Sequence, residues 1–269
     1  MQMPELPEVE TIVKQLRAKI AGKIITKLEV LEPKVVDPKI SSILPLKIKD
    51  VLRRGKFIII PLDGSSSLLV HLKMTGHFHY VEAINKTKDQ KHKQYLSGIF
   101  HLDDNSFFTF NEIRKFGMVN LVANGEMEKY LSKFGPEPLT ITAENFQSRL
   151  QKFPRSVIKT KLLDQKFIAG IGNIYAQEVL YYAGIKPTQK IKDIPLPKIY
   201  LLHSEIQRVL KLSIENNGTT VSDYTHLSGK GNFQNFLAVY GQQNCPKGHS
   251  LHKINIGGRS TSFCQVCQD

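Results

Sequence analysis

Apolar residues near the start of the chain recur at helical spacing. Val9, Ile12, Val13, Leu16 and Ile20 fall on one face of residues 5 to 21, with Glu8 and Glu10 early and Lys14, Arg17 and Lys19 late. This predicts an amphipathic helix closed by Gly22. From about residue 24 to 122 the period changes to short β-branched and aromatic runs: IITKLEVL, KFIIIPL, LLVHLK, IFHL, SFFTF and MVNLV. The turn clusters DGSSS and DDNS separate neighbouring runs, so the pattern predicts a two-layer β structure. The charged stretch NKTKDQKHKQ reads as a flexible loop. In FGPEPLT two prolines and a glycine interrupt both periods, marking a hinge into a second domain. At least three helices are expected over about 142 to 217, the last ending at Asn216-Asn217-Gly218, and the tail from about residue 240 reads as a small separate unit.

Composition narrows the partner. Lys and Arg number 37 against 24 Asp and Glu, and the net charge of +13 favours a polyanion, nucleic acid first. No apolar run reaches spanning length, and the N-terminus lacks the basic, apolar and small-residue order of a signal peptide, so a cytoplasmic, nucleoid-associated protein is expected.

All three cysteines, Cys245, Cys264 and Cys267, lie in the tail, which argues for a local metal site over a disulfide framework. A zinc ribbon would place a fourth cysteine near Gly248; His249 follows it, and imidazole is an accepted zinc ligand. The expected tetrahedron is Cys245, His249, Cys264 and Cys267, with His252 the rival fourth donor, and a four-ligand zinc ion is structural. Between the ligand pairs, GGRSTSF reads as a hairpin presenting Arg259. Upstream, SVIKTKLLDQKFIAGIGNIYAQEVLYYAGI reads as helix, two glycine-bearing turns and helix. Gly170 and Gly172 allow close backbone approach, and Asn173 is placed to cap the second helix. Lys152, Arg155, Lys159, Lys161 and Lys166, opposed only by Asp164, suit a phosphate backbone.

Taken together, MPELPEVET at 3 to 11, GIGNIYAQE at 170 to 178 and the terminal ribbon resemble formamidopyrimidine-DNA glycosylase, and the ELPEVE start resembles its purine-repair branch rather than the pyrimidine branch of endonuclease VIII. The resemblance implies an α+β multidomain protein: an N-terminal β-sandwich catalytic domain with flanking helices (1–134), a helix-two-turns-helix DNA-binding domain (135–239) whose loop at about 219–233 covers an extruded purine, and a zinc hairpin (240–269). It also implies a bifunctional glycosylase and lyase acting on double-stranded DNA with oxidised purines or abasic sites, with one structural Zn2+; the sequence carries no oligomerisation signal, so a monomer is expected.

By the same resemblance, Pro4 is the secondary-amine nucleophile and Glu5 the acid. Lys56 is assigned to β-elimination and phosphate contact, and Arg259 to δ-elimination. Asn173 joins them around the phosphates, with His71 and Tyr240 as further DNA contacts; Arg155, from the basic run above, is expected to touch the DNA backbone as well. Met74, Arg114 and Phe116 fill the gap left by the flipped base. Read without the family, Met74 and Phe116 would be core residues of a strand and its turn.

The chain departs from the family in several places. It begins Met1-Gln2-Met3-Pro4, and an acylated proline nitrogen cannot attack, so translation from Met3 is expected. If Gln2 stays attached, Lys56 could serve as a substitute amine, or the protein could bind lesions without excising them. Tyr95 stands where the family often has a DNA-contacting histidine, and Ile113 precedes Arg114. The alternatives to the purine enzyme are thus a noncatalytic DNA-binding zinc protein and an oxidised-pyrimidine enzyme of the same fold.

Overall fold

The computed structural model describes residues 3–82, 95–219 and 231–269. Met1 and Gln2, the expected flexible loop NKTKDQKHKQ, and most of the expected lesion-covering loop lie outside the described residues. The chain divides into two compact units, one formed by Met1–Ser132 with Thr219–Gly231, the other by Lys133–Gly218 with Asn232–Asp269.

The first unit starts with helix α1 (Leu6–Ile20). Strands β1 (Ile24–Val30), β2 (Leu46–Lys47), β3 (Leu52–Arg54), β4 (Phe57–Pro61), β5 (Ser66–His71), β6 (His77–Val81), β7 (Leu96–Leu102), β8 (Phe107–Asn111) and β9 (Met118–Ala123) follow, then helix α2 (Asn124–Leu131). They form two antiparallel sheets, ordered β2-β1-β7-β8-β6 and β3-β4-β5-β9. One apolar core joins both sheets to α1: Ile25, Phe78, Phe100, Phe108 and Phe110 from the first, Ile58, Ile60, Leu68 and Val70 from the second, and Val9, Ile12, Val13, Leu16 and Ile20 from the helix. This is the sandwich that the alternating runs predict, with the helical stripe laid against it. Phe100 and Phe108 stack at 4.6 Å between ring centres, directly across the β7–β8 pair.

The second unit holds α3 (Ala143–Gln151), α4 (Ile158–Leu163), α5 (Asn173–Tyr182) and α6 (Leu196–Glu215), followed by the hairpin β10 (His252–Ile256) and β11 (Arg259–Phe263). The helices α4 and α5 flank the turns that contain Gly170 and Gly172, as the sequence predicts. Helix α6 ends at Glu215, after which Asn217 and Gly218 take left-handed φ of 59° and 72°. Gly135 sits where a Cβ would come within 2.5 Å of the Phe167 backbone, so the FGPEP segment is packed tightly against the turn after α4. Among the described residues no helix is long and apolar enough to cross a membrane.

Candidate functional site

Pro4 immediately precedes the N-cap of α1 and is buried. Glu5 is that N-cap, only 2% exposed, and forms a reciprocal capping box with Glu8, whose Oε2 accepts from the Glu5 amide at 3.0 Å. The other Glu8 oxygen accepts from the Thr219 amide and hydroxyl at 2.9 and 3.0 Å. Glu8 therefore fixes the backbone beside Pro4 from below. Its Glu-x-x-Glu spacing with Glu5 was a readable capping signal; its bond to Thr219, far along the chain, was not.

Lys56 lies in the two-residue turn between β3 and β4, where Gly55 adopts φ +58° and Lys56 is 5% exposed. One arginine ties this turn to α1: Arg53 Nε donates to Glu10 at 2.7 Å while Nη1 donates to the Gly55 carbonyl at 3.2 Å. With the Arg53 side chain 9% exposed, the pair is shielded from screening, and the link holds the Lys56 turn against the helix that begins at Glu5.

His71 ends β5 opposite Phe57, whose ring meets it edge-on at 4.7 Å. Burial, then the positive charges of Lys73 and Lys56, push its pKa down to about 3. Its Nδ1 accepts from the Lys73 amide at 2.9 Å, which leaves the proton on Nε2. His71 is thus a neutral hydrogen-bond donor, not a cation. The stability consequence has a definite sign. The unfolded imidazole titrates near 6.5 and the folded one near 3, so between these values the unfolded chain binds the extra proton and stability falls as pH falls. Unfolding free energy should drop by about 2 kcal/mol through this group between pH 7 and pH 5, and urea titrations should find that part of the drop missing in His71→Asn.

Met74 lies in the turn after β5, and Arg114 and Phe116 in the loop between β8 and β9. Phe116 is 59% exposed and Arg114 is exposed, so the core reading fails for Phe116; only a partly buried Met74 is compatible with it. Arg114 groups the three, with Nη1 3.1 Å from the Met74 sulfur and its guanidinium 5.2 Å from the Phe116 ring centre. Each loop sets its apolar side chain just after a lysine in the left-handed region, Lys73 at φ +52° and Lys115 at +56°. Tyr95 is 57% exposed at the start of β7.

In the second unit Asn173 departs from its expected role. Gly172 is the N-cap of α5 and Asn173 the first helical residue, so its side chain is free to turn away from the helix end. Its Oδ1 accepts from Lys159 at 2.7 Å and its Nδ2 donates to the Ser260 carbonyl at 3.2 Å. Lys159, expected among the phosphate-facing cations, is fully buried and also donates to Thr261 at 2.5 Å. Gln177 completes the link, accepting from the Ser262 amide at 2.6 Å. The helix start and β11 are thereby one hydrogen-bonded piece. Arg259 opens β11 in the open, just after the left-handed pair Gly257-Gly258. Arg155 is exposed ahead of α4. Tyr240 belongs to a turn held by Glu178, a fully buried carboxylate that accepts from the amides of Ala238, Val239 and Tyr240 at 2.7, 3.0 and 2.8 Å. Glu178 stands in the GIGNIYAQE motif, but nothing local in the sequence discloses those partners.

The tail brings Cys245, His249, Cys264 and Cys267 together, their ligand atoms all within 4.8 Å of one another. His249 Nδ1 lies 3.5, 3.7 and 3.4 Å from the three sulfurs, and Cys245 Sγ is 4.0 Å from Cys267 Sγ. A tetrahedral zinc site with ordinary bond lengths has edges of about 3.6 Å between N and S and about 3.8 Å between sulfurs. The donor set therefore fits that ion. Burial raises the Cys245 thiol pKa, but hydrogen bonds from the amides of Lys247 and His249 and from the side chains of Tyr181 and Cys264 together more than reverse this and hold it at about 6. His252 is exposed on β10 and stands outside the cluster.

Sequence comparison places these units in a known lineage. The Formamidopyrimidine-DNA glycosylase N-terminal domain matches residues 3–119, and the Formamidopyrimidine-DNA glycosylase H2TH domain matches residues 134–225. The chain belongs to the formamidopyrimidine-DNA glycosylase family. It is 38% identical to the Formamidopyrimidine-DNA glycosylase of Exiguobacterium sibiricum and 39% to that of Pelotomaculum thermopropionicum, each comparison covering 99% of both chains. Among solved structures it resembles a mutant of the Lactococcus lactis FPG bound to Fapy-dG-containing DNA (TM-score 0.91, 32% identity, 99% of this chain and 100% of the other). A MutM complex with carbocyclic 8-oxo-G-containing DNA is similar at TM-score 0.89 and 31% identity, with the same coverage. So is an FPG mutant in which Gly-His stands for a cysteine, bound to THF-containing DNA (TM-score 0.90, 31% identity, 99% and 100% covered).

Proposed function

We propose that this protein is a base-excision-repair enzyme that removes oxidised purines, 8-oxoguanine and formamidopyrimidines, from duplex DNA and then cleaves the abasic strand. The observation that carries the reading is the local arrangement at the start of α1, where Pro4 stands directly ahead of a carboxylate whose backbone is fixed by Glu8. The family match begins at Met3, which supports a mature chain opening with Pro4. The Pro4 nitrogen attacks C1′ of the damaged nucleotide, the C1′–N bond breaks, and the base leaves with the bonding pair and a proton. Glu5 protonates the sugar ring oxygen as the ring opens to the imine.

Glu5, left as a carboxylate, then takes the C2′ proton, a C1′/C2′ double bond forms and the C3′–O bond breaks to release the 3′ phosphate, with Lys56 holding phosphate and charge at that step; Arg259 serves the second elimination as a charge on the leaving phosphate, since a guanidinium does not release its proton. Asn173, Arg155, His71, Tyr95 and Tyr240 contact the backbone. Cys245, His249, Cys264 and Cys267 hold one structural zinc ion, which fixes the fold of the hairpin that displays Arg259. The protein works as a cytoplasmic monomer.

The purine assignment is supported by the Fapy-dG and 8-oxo-G complexes among the structural neighbours. Borohydride should trap the protein on an 8-oxoguanine duplex in preference to one carrying an oxidised pyrimidine. The reverse preference would move the assignment to the pyrimidine branch, and no trapping on either would leave a DNA-binding protein. Replacing Phe116 by Ala should slow excision of a base-paired lesion on the order of tenfold while the metal content stays at one, since stacking in the vacated gap offsets part of the unstacking cost. Met74→Ala and Arg114→Ala should act in the same direction, as single-turnover excision rates would show.

A further inference from the structure

One buried carboxylate stands between the two loops that carry Met74, Arg114 and Phe116. Glu112, 2% exposed at the end of β8, accepts through Oε1 from the Thr75 hydroxyl and from the Arg114 amide at 3.0 Å. Its Oε2 accepts from the Gly117 amide at 2.9 Å, and its own amide donates to the Tyr95 carbonyl at 2.9 Å. Thr75 is itself 6% exposed, and its Oγ1 also accepts from the Arg114 amide at 3.2 Å. The loops are therefore joined at one point, and Glu112 accepts a bond from each of them there.

The chemistry of the point is specific. Three donors converge on two oxygens, and a carboxylate, which accepts without donating, satisfies them all. Burial raises the pKa of Glu112, and the Arg114 and Gly117 amides offset only part of that rise. Gly117 is there because of the same contact: a Cβ at that position would come within 2.5 Å of Oε2. The left-handed Lys73 and Lys115 show that both loops are bent away from relaxed backbone to aim the residues that follow, and bonds to Glu112 hold that aim on each side. Neither Met74, Arg114 nor Phe116 is fixed by a core of its own.

We infer that Glu112 is a positioning residue that locks the Met74 turn and the Arg114–Phe116 loop into one register, so that the three side chains enter the duplex together when a base is extruded. This rests on the gap-filling reading given above. Glu112 touches no DNA in this account; it acts through the loops.

The test uses Glu112→Gln, which keeps shape but sets an amide donor against a backbone or hydroxyl donor. Excision of 8-oxoguanine from a duplex should slow on the order of tenfold in single turnover, and the fluorescence change of a 2-aminopurine beside the lesion, which reports unstacking, should slow by the same factor. Cleavage at a preformed abasic site, where no base is extruded, should change by less than about twofold. Thr75→Ala removes one donor without crowding and should show the same selectivity in weaker form; it decides the matter if the Gln variant folds poorly. Equal slowing on both substrates, or no slowing on the paired lesion while Phe116→Ala does slow it, overturns the inference. An unchanged rate in Phe116→Ala overturns the gap-filling reading itself, and this inference with it.

Discussion

A chain that keeps any residue on Pro4 should lose borohydride trapping on an 8-oxoguanine duplex, with strand cleavage falling on the order of 10³-fold or more, the scale on which removal of a covalent nucleophile acts. Acylation turns the pyrrolidine nitrogen into an amide whose lone pair is delocalised into the carbonyl, so it cannot add to C1′. The comparison is between protein expressed from Met3, where a small penultimate proline permits removal of the methionine, and protein verified by intact mass to retain Met1. Binding to the lesion duplex should persist in the second form, because the cations and Phe116 are unaltered. Trapping that survives in the extended chain and vanishes on Lys56→Met would instead make Lys56 the amine.

The second large effect belongs to the tail. Removing one donor from a four-ligand zinc site forfeits much of a binding free energy of about 10–16 kcal/mol, which in so small a hairpin is folding free energy. The hairpin's own core is slight, Cys245 and Cys264 packing with Tyr181, Ala238 and Val239. Cys264→Ala and His249→Ala should therefore lower bound zinc from one per chain toward none, expose the remaining thiols to a chromogenic disulfide, and weaken lesion-duplex binding by at least about tenfold through loss of the β11 scaffold. His252→Ala should leave zinc at one. Retention of full zinc by His249→Ala together with its loss in His252→Ala would reverse the ligand assignment. Because Lys159, Asn173 and Gln177 bond to residues 260 to 262, the damage should extend to the start of α5; amide exchange there should rise in both zinc-site variants.

Much of the fold was legible because its signals are local. The apolar stripe of α1 is a period, the strands are short β-branched runs between turn residues, and the Cys/His cluster announces itself through three cysteines gathered in one tail. The family motifs then named Pro4, Glu5 and Asn173. What escaped was chiefly what depends on distant partners. Lys159 looked like one more surface cation, yet it is fully buried between Asn173 and Thr261, and only the hairpin's position reveals that. Asn173 looked like an N-cap, but Gly172 holds that place and the asparagine amide serves the hairpin. Glu10, Glu112 and Glu178 are acidic residues in ordinary strand and helix contexts, and each has a partner on another loop or strand: Arg53, Thr75 and the amides of residues 238 to 240. A buried carboxylate facing several N–H donors has no sequence signature, since the donors are backbone. Phe116 shows the converse: periodicity and hydrophobicity put it in the core, the resemblance put it outside, and the loop geometry leaves it exposed.

The most direct test is to locate the covalent link. The protein is reacted with an 8-oxoguanine duplex in borohydride, which reduces the imine to a stable amine, and the adduct is digested and sequenced by mass spectrometry. The account predicts a deoxyribose remnant on the nitrogen of Pro4 in a peptide that begins with Pro4. A remnant on Lys56 or any other lysine would contradict it.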